Sequence, residues 1–111
     1  MSTITTHVLD TARGVPARGV PVLLQRREGS ELVDVGRGQT DDDGRLGDLV
    51  SGSAVPGVYR LVFGIEDYFS ALGEEAFFPE VTVEFRHDDR RRHTHVPLLL
   101  SPFGYATYRG S

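Results

Sequence analysis

His93-Thr-His-Val-Pro-Leu-Leu-Leu-Ser-Pro-Phe-Gly-Tyr-Ala-Thr-Tyr-Arg-Gly-Ser111 closes the chain, and its composition is not that of an ordinary tail. Terminal residues are usually mobile and expendable. Here an alternating His-Thr-His-Val entry leads into the apolar run Leu98 to Leu100, a Ser101-Pro102-Phe103-Gly104 turn, and a second run ending in Tyr108-Arg109-Gly110-Ser111. Two strands about a tight turn, 93–100 and 105–109, account for that pattern. A period of two then puts His93 and His95 on one strand face.

The same grammar extends back through the chain. Ile4 to Leu9 alternates and is rich in β-branched residues, so His7 and Leu9 share one face and Thr6 and Val8 the other. Turn chemistry at Arg13-Gly14-Val15-Pro16 precedes a strand from Val20 to Arg26, which ends in the polar stretch Arg27 to Glu31. Leu32 to Gln39 predicts a third strand whose Gly36 and Gly38 mark a bulge or an edge. The Asp-Gly pair in Thr40-Asp41-Asp42-Asp43-Gly44-Arg45 favours a tight turn from which Arg45 emerges directly.

Leu49 to Val55 fits no single element, and Val55-Pro56-Gly57 has the order of a type II turn. Tyr59 to Ile65 alternates as a strand, and Asp67 to Leu72 before Gly73 suits one or two helical turns. Val81 to Arg86 is the next strand, joined to His93 by the polar tip His87 to Arg92. Many short strands with turns between them and no repeats or linkers predict an all-β antiparallel sandwich, with residues 1–111 as a single domain.

Composition narrows the function. The 111 residues are 39% hydrophobic and 25% charged, the balance of a globular chain that folds. There is no cysteine, which removes disulfides, thiolate metal ligands and thiol nucleophiles, and points to the cytoplasm. A net charge of −4 opposes binding to a phosphate backbone, so nucleic acid is not an expected partner. The opening Met1-Ser-Thr-Ile-Thr-Thr-His has neither a signal-peptide pattern nor a span for a bilayer, and the expectation is an unprocessed soluble protein with no membrane partner.

Acid-base chemistry near neutral pH points to the four histidines. His87, beside Asp88 and Asp89 at a hairpin tip, reads as a solvated loop residue. His7, His93 and His95 could be drawn as a three-imidazole metal site, but no carboxylate falls at a spacing that completes the shell, and the expectation is no metal and no cofactor. The basic run Arg90 to Arg92 reads as a solvated face.

The final stretch, together with Thr6-His7-Val8-Leu9-Asp10 and Asp41-Asp42-Asp43-Gly44-Arg45, resembles the 5-hydroxyisourate hydrolases, the enzymatic branch of the transthyretin family, over essentially the whole chain. The ending Tyr108-Arg109-Gly110-Ser111 is the most specific part of the match, and the hormone-carrying transthyretins lack it. The resemblance implies a transthyretin-like sandwich of two four-stranded sheets with one short helix. It implies hydrolysis of 5-hydroxyisourate to 2-oxo-4-hydroxy-4-carboxy-5-ureidoimidazoline in urate breakdown, by a homotetramer built as a dimer of dimers.

It also implies roles. His7 falls on the histidine of the family's THVLD-type segment, Arg45 on the arginine after the Asp-Gly turn, His95 on the histidine before Val-Pro-Leu-Leu, and Tyr108 on the first residue of YRGS. His7 and His95 then share the general-base work, Arg45 clamps the substrate, Tyr108 covers or hydrogen-bonds its ring, and Arg109 and the Ser111 carboxylate fix the tail. The competing readings are a non-catalytic carrier of small planar ligands and a sandwich module for protein contact.

Overall fold

In the computed structural model, which describes residues 2–88 and 90–111, alternation along each long strand sorts side chains between the inside of a two-sheet sandwich and its outer surfaces. The strands are β1 (Thr3–Asp10), β2 (Val15–Pro16), β3 (Pro21–Glu28), β4 (Glu31–Gln39), β5 (Arg45–Leu46), β6 (Gly57–Gly64), β7 (Glu80–His87), β8 (His93–Ser101) and β9 (Gly104–Thr107), with helix α1 (Glu66–Ala71) between β6 and β7. One sheet has the order β4-β3-β6-β7; the other has the order β2-β1-β8-β9, with the two-residue β5 also paired to β1. Val8 and Leu98 from one sheet and Leu24, Leu61 and Phe63 from the other are fully buried between them. Truncating any of these to alanine removes tightly packed apolar volume, which typically costs about 2–5 kcal/mol.

The expected strands are present, with informative differences. β1 and β8 pair in parallel, from Thr3 opposite His93 to Asp10 opposite Leu100, so the sandwich is not wholly antiparallel. Alternation has the same period in either direction, and no hairpin ties these distant segments to opposite senses. The sheet that contains them gains β5 as a fifth strand. The irregularity expected near Gly36 is a bulge: Leu24 faces Gly36 while Gln25 faces Asp34, which leaves Val35 as the extra residue. Gly57 has φ 159° and begins β6, whereas a type II turn would need a value near +80° at that position, so Val55-Pro56-Gly57 is not that turn. The last strand stops at Thr107 and does not run on to Arg109.

His87 corrects a sequence expectation. β7 continues through His87, and the inward positions Val81 and Val83 carry the alternation on to 87, so this ring is 2% exposed and not solvated. Its Nδ1 lies 2.7 Å from Thr94 Oγ1, and Tyr59 meets the ring edge to face. Of the expected tip His87 to Arg92, Asp89 lies outside the described residues.

The helix is tied to β1 through the buried carboxylate of Asp10. It accepts hydrogen bonds from the Tyr68 hydroxyl at 2.8 Å and from the Arg13 N–H at 3.0 Å. Burial, then the bond to Asp10, pushes the Tyr68 phenol up to about 12. Among the described residues no helix is long and apolar enough to cross a membrane.

Candidate active site

Thr3, Thr5 and His7 occupy the outward face of β1, and parallel pairing sets Thr5 beside His95 on β8. Arg45 is brought to the same face by β5, which pairs antiparallel with β1 so that Arg45 lies opposite His7. The loop before β5 is locked by Asp41: its Oδ1 accepts the N–H groups of Asp43 and Arg45, each at 2.9 Å. Gly44 completes the turn with φ 76°, and a Cβ there would lie 2.4 Å from the Val8 carbonyl oxygen. Only glycine fits that backbone at that approach.

The locked loop also fixes a proton. His7 Nε2 lies 2.8 Å from the carbonyl oxygen of Asp43. A carbonyl can only accept, so Nε2 carries the hydrogen and the neutral ring keeps its lone pair on Nδ1. His95 is held differently, with Nδ1 2.8 Å from Thr5 Oγ1. Burial lowers the pKa of His95, with further lowering from the nearby His93, His7 and Arg45, so it stays neutral and able to accept a proton to a lower pH than an ordinary imidazole.

The chain end returns to this face. After Thr107 the backbone leaves β9, and Gly110 rejoins β8 by donating its N–H to the His95 carbonyl at 2.8 Å. A Cβ on Gly110 would stand 2.5 Å from His95 Cδ2, so the tail lies directly on the imidazole. Ser111, Arg45, His93, His95, Thr5 and Leu46 line an open groove of about 400 Å³. No three His, Asp or Glu side chains converge as a metal shell would require among the described residues.

Tyr108 and Arg109 are not brought to that groove within one chain. They line a separate cavity of about 320 Å³ with Val83, Phe85 and Arg86 of β7, and Tyr108 is 57% exposed. Sequence reasoning missed Asp43, whose contribution is a main-chain oxygen, and Thr5. Thr5 shares the face of His7 by simple alternation, but its position opposite His95 follows from the parallel pairing alone.

Two packed sheets bearing an open groove lined by imidazole, guanidinium and the last residue, Ser111, define a small β-sandwich protein of the transthyretin kind. Residues 4–110 match the HIUase/Transthyretin family, and the chain belongs to that family. A Salmonella dublin protein named 5-hydroxyisourate hydrolase is 43% identical over 109 residues, covering 97% of this chain and 80% of its own. The solved structure of the Klebsiella pneumoniae 5-hydroxyisourate hydrolase superposes with a TM-score of 0.84 at 36% identity, covering 99% of this chain and 100% of its own. Sea bream transthyretin in complex with thyroxine superposes with a TM-score of 0.90 at 27% identity, covering 96% and 93% of the two chains. Backbone similarity alone therefore does not separate the hydrolase from the carrier.

Proposed function

We propose that this protein is a 5-hydroxyisourate hydrolase of urate degradation, opening the six-membered ring of its substrate to 2-oxo-4-hydroxy-4-carboxy-5-ureidoimidazoline. The observation that carries the proposal is the meeting of His95, Arg45 and Ser111 in one groove, with His7 on the same sheet face opposite Arg45, in a chain whose relatives bear that name. Hydrolysis of a cyclic amide needs an activated water, stabilisation of the developing oxyanion and a hold on a flat polar ring. His7 and His95 act as general bases, one through Nδ1 and the other through the ring nitrogen that Thr5 leaves free. The exposed Arg45 guanidinium has no carboxylate partner among the described residues and offers its paired donors to the substrate. The Ser111 carboxylate helps hold the tail against the site. Water is the only co-reactant, so no cofactor is required, and the reaction is assigned to the cytoplasm.

The test is the ultraviolet absorbance of freshly made 5-hydroxyisourate with and without protein. Accelerated decay supports hydrolysis; saturable binding without decay would make the protein a carrier, and neither effect would leave a contact module.

Arg45→Lys keeps the charge and loses the planar fork. A fall in kcat/KM of about tenfold or more is expected if two-pronged hydrogen bonding matters. Near-normal kcat/KM in the lysine variant would reduce Arg45 to a diffuse positive field.

The functional unit in this proposal is a homotetramer, a dimer of dimers. Tyr108 and Arg109 face away from the groove of their own chain, so Tyr108 contributes to catalysis at a groove supplied by another copy. Mixed tetramers of Tyr108→Phe and His95→Ala subunits should therefore regain activity that neither parent has, because some sites then combine an intact histidine with an intact tyrosine. Mixed tetramers no more active than the parents would place both residues in the service of one chain's site.

A further inference from the structure

His93 has no role in the assignments above, yet it sits in the same groove as His95. Their rings are nearly parallel, 13° apart in plane with centroids 6.1 Å apart. One hydroxyl lies between them: Thr5 Oγ1 is 2.8 Å from His95 Nδ1 and 3.2 Å from His93 Nε2. Beyond it, Thr3 Oγ1 lies 2.6 Å from His93 Nδ1.

A hydroxyl has a single proton to donate, so Thr5 can donate to one ring only and must accept from the other. The four groups therefore form an ordered chain with two senses. In one, His95 Nδ1–H donates to Thr5, Thr5 donates to His93 Nε2, and His93 Nδ1–H donates to Thr3. That sense leaves the lone pair of His95 on Nε2, where a base needs it. In the other, every proton is displaced by one position and Nε2 of His95 is protonated.

We propose that Thr5 and His93 form a proton relay behind His95, so that His95 takes a proton from the attacking water without itself becoming a cation. The proposal rests on the general-base role given to His95 above. As the water oxygen bonds to the substrate carbonyl carbon, its proton passes to His95 Nε2. The proton on Nδ1 moves to Thr5 Oγ1, and the hydroxyl proton of Thr5 moves to His93 Nε2. His93 then carries the positive charge and the tetrahedral adduct the negative one. When the ring C–N bond breaks, the protons return along the same path, and His95 Nε2–H is delivered to the departing nitrogen. The relay ends in its starting state.

The placement of charge supports this division of labour. His93 is exposed, so water can solvate an imidazolium there. His95 is half-buried, close to His7 and Arg45, and both burial and those neighbours disfavour a cation on it. Ser111 also lines the groove. Thr5 and His93 are positioning residues, acting on the substrate only through His95.

The experiment compares Thr5→Val, Thr5→Ser and His93→Phe with the unaltered protein in steady-state hydrolysis and in mixtures of light and heavy water. Thr5→Val and His93→Phe should each lower kcat by about ten- to a hundredfold, part of the full effect of a general base, with KM nearly unchanged. Thr5→Ser, which retains the hydroxyl, should keep most of the activity. The plot of kcat against deuterium fraction should be bowed for the unaltered protein, where several protons move together, and straight in the two impaired variants. His93→Phe with unaltered kcat and a bowed plot would overturn the relay, even if Thr5→Val were impaired, since Thr5 would then only hold the His95 ring. Should Thr5→Val fail to fold, His93→Phe decides alone, because its side chain lies at the surface. Full turnover by His95→Ala would instead sink the general-base assignment itself, a separate outcome.

Discussion

Removing residues 108–111 is expected to abolish hydrolysis of 5-hydroxyisourate while both sheets remain folded. β9 ends at Thr107, and the lost residues contribute no buried apolar side chain to the core. What they do contribute is local to the site: the Gly110 N–H on the His95 carbonyl, the close packing of Gly110 against the His95 ring, and Ser111 in the groove. A terminal carboxylate is a strong acceptor for guanidinium or imidazolium, and extending the chain moves that charge and crowds a confined space. A C-terminal tag should accordingly be far more harmful than an N-terminal one. Turnover and oligomeric state, measured on the truncated, C-tagged and N-tagged proteins, distinguish the possibilities. A truncated protein with full activity would end the idea of an active tail, and loss of assembly along with activity would mean that the tail acts by covering an interface.

His7→Ala and His95→Ala should each lower turnover by about two to four orders of magnitude, the usual range for a lost general acid-base group, with the fold retained. Both side chains lie on outward strand faces and neither belongs to the core, so stability should change little. His87→Ala is unsuitable as the inert comparison. It removes a buried ring hydrogen-bonded to Thr94, and leaving that hydroxyl unpaired costs about 1–3 kcal/mol, an effect expected in the melting temperature rather than in kcat. Arg90→Ala, which alters only an exposed ion pair with Asp88, is the better control. Retention of near-normal turnover by His7→Ala would remove it from the mechanism and leave the base work to His95 alone.

Much of this molecule is legible as local chemistry. Period-two alternation defines β1, β6, β7 and β8, because a strand with one buried face must repeat apolar side chains every second residue. The Asp-Gly turn before Arg45 and the short helix before Gly73 are likewise settled within a few residues, by positive φ and by an acidic first turn. His7, Arg45, His95 and the YRGS ending can be picked out from such motifs through their resemblance to a family.

Other features depend on contacts between segments far apart in the chain. Alternation says that His87 belongs to one face or the other, but only the length of β7 and the facing sheet make that face the interior. Nothing local specifies that β1 and β8 run parallel, and that one choice sets Thr5 against His95 and Thr3 against His93. The same holds for the tail. Tyr108 and Arg109, which read as a continuing strand, instead leave β9 with Tyr108 lining a different cavity, and Ser111 comes back to the imidazoles because the Gly110 N–H finds its partner on β8. By itself the sequence determined the strands, the turns and the chemical groups available. Tertiary structure decided which groups meet, since strand register and sense are set by pairing and burial across the whole sandwich, interactions with no counterpart among neighbours in the chain.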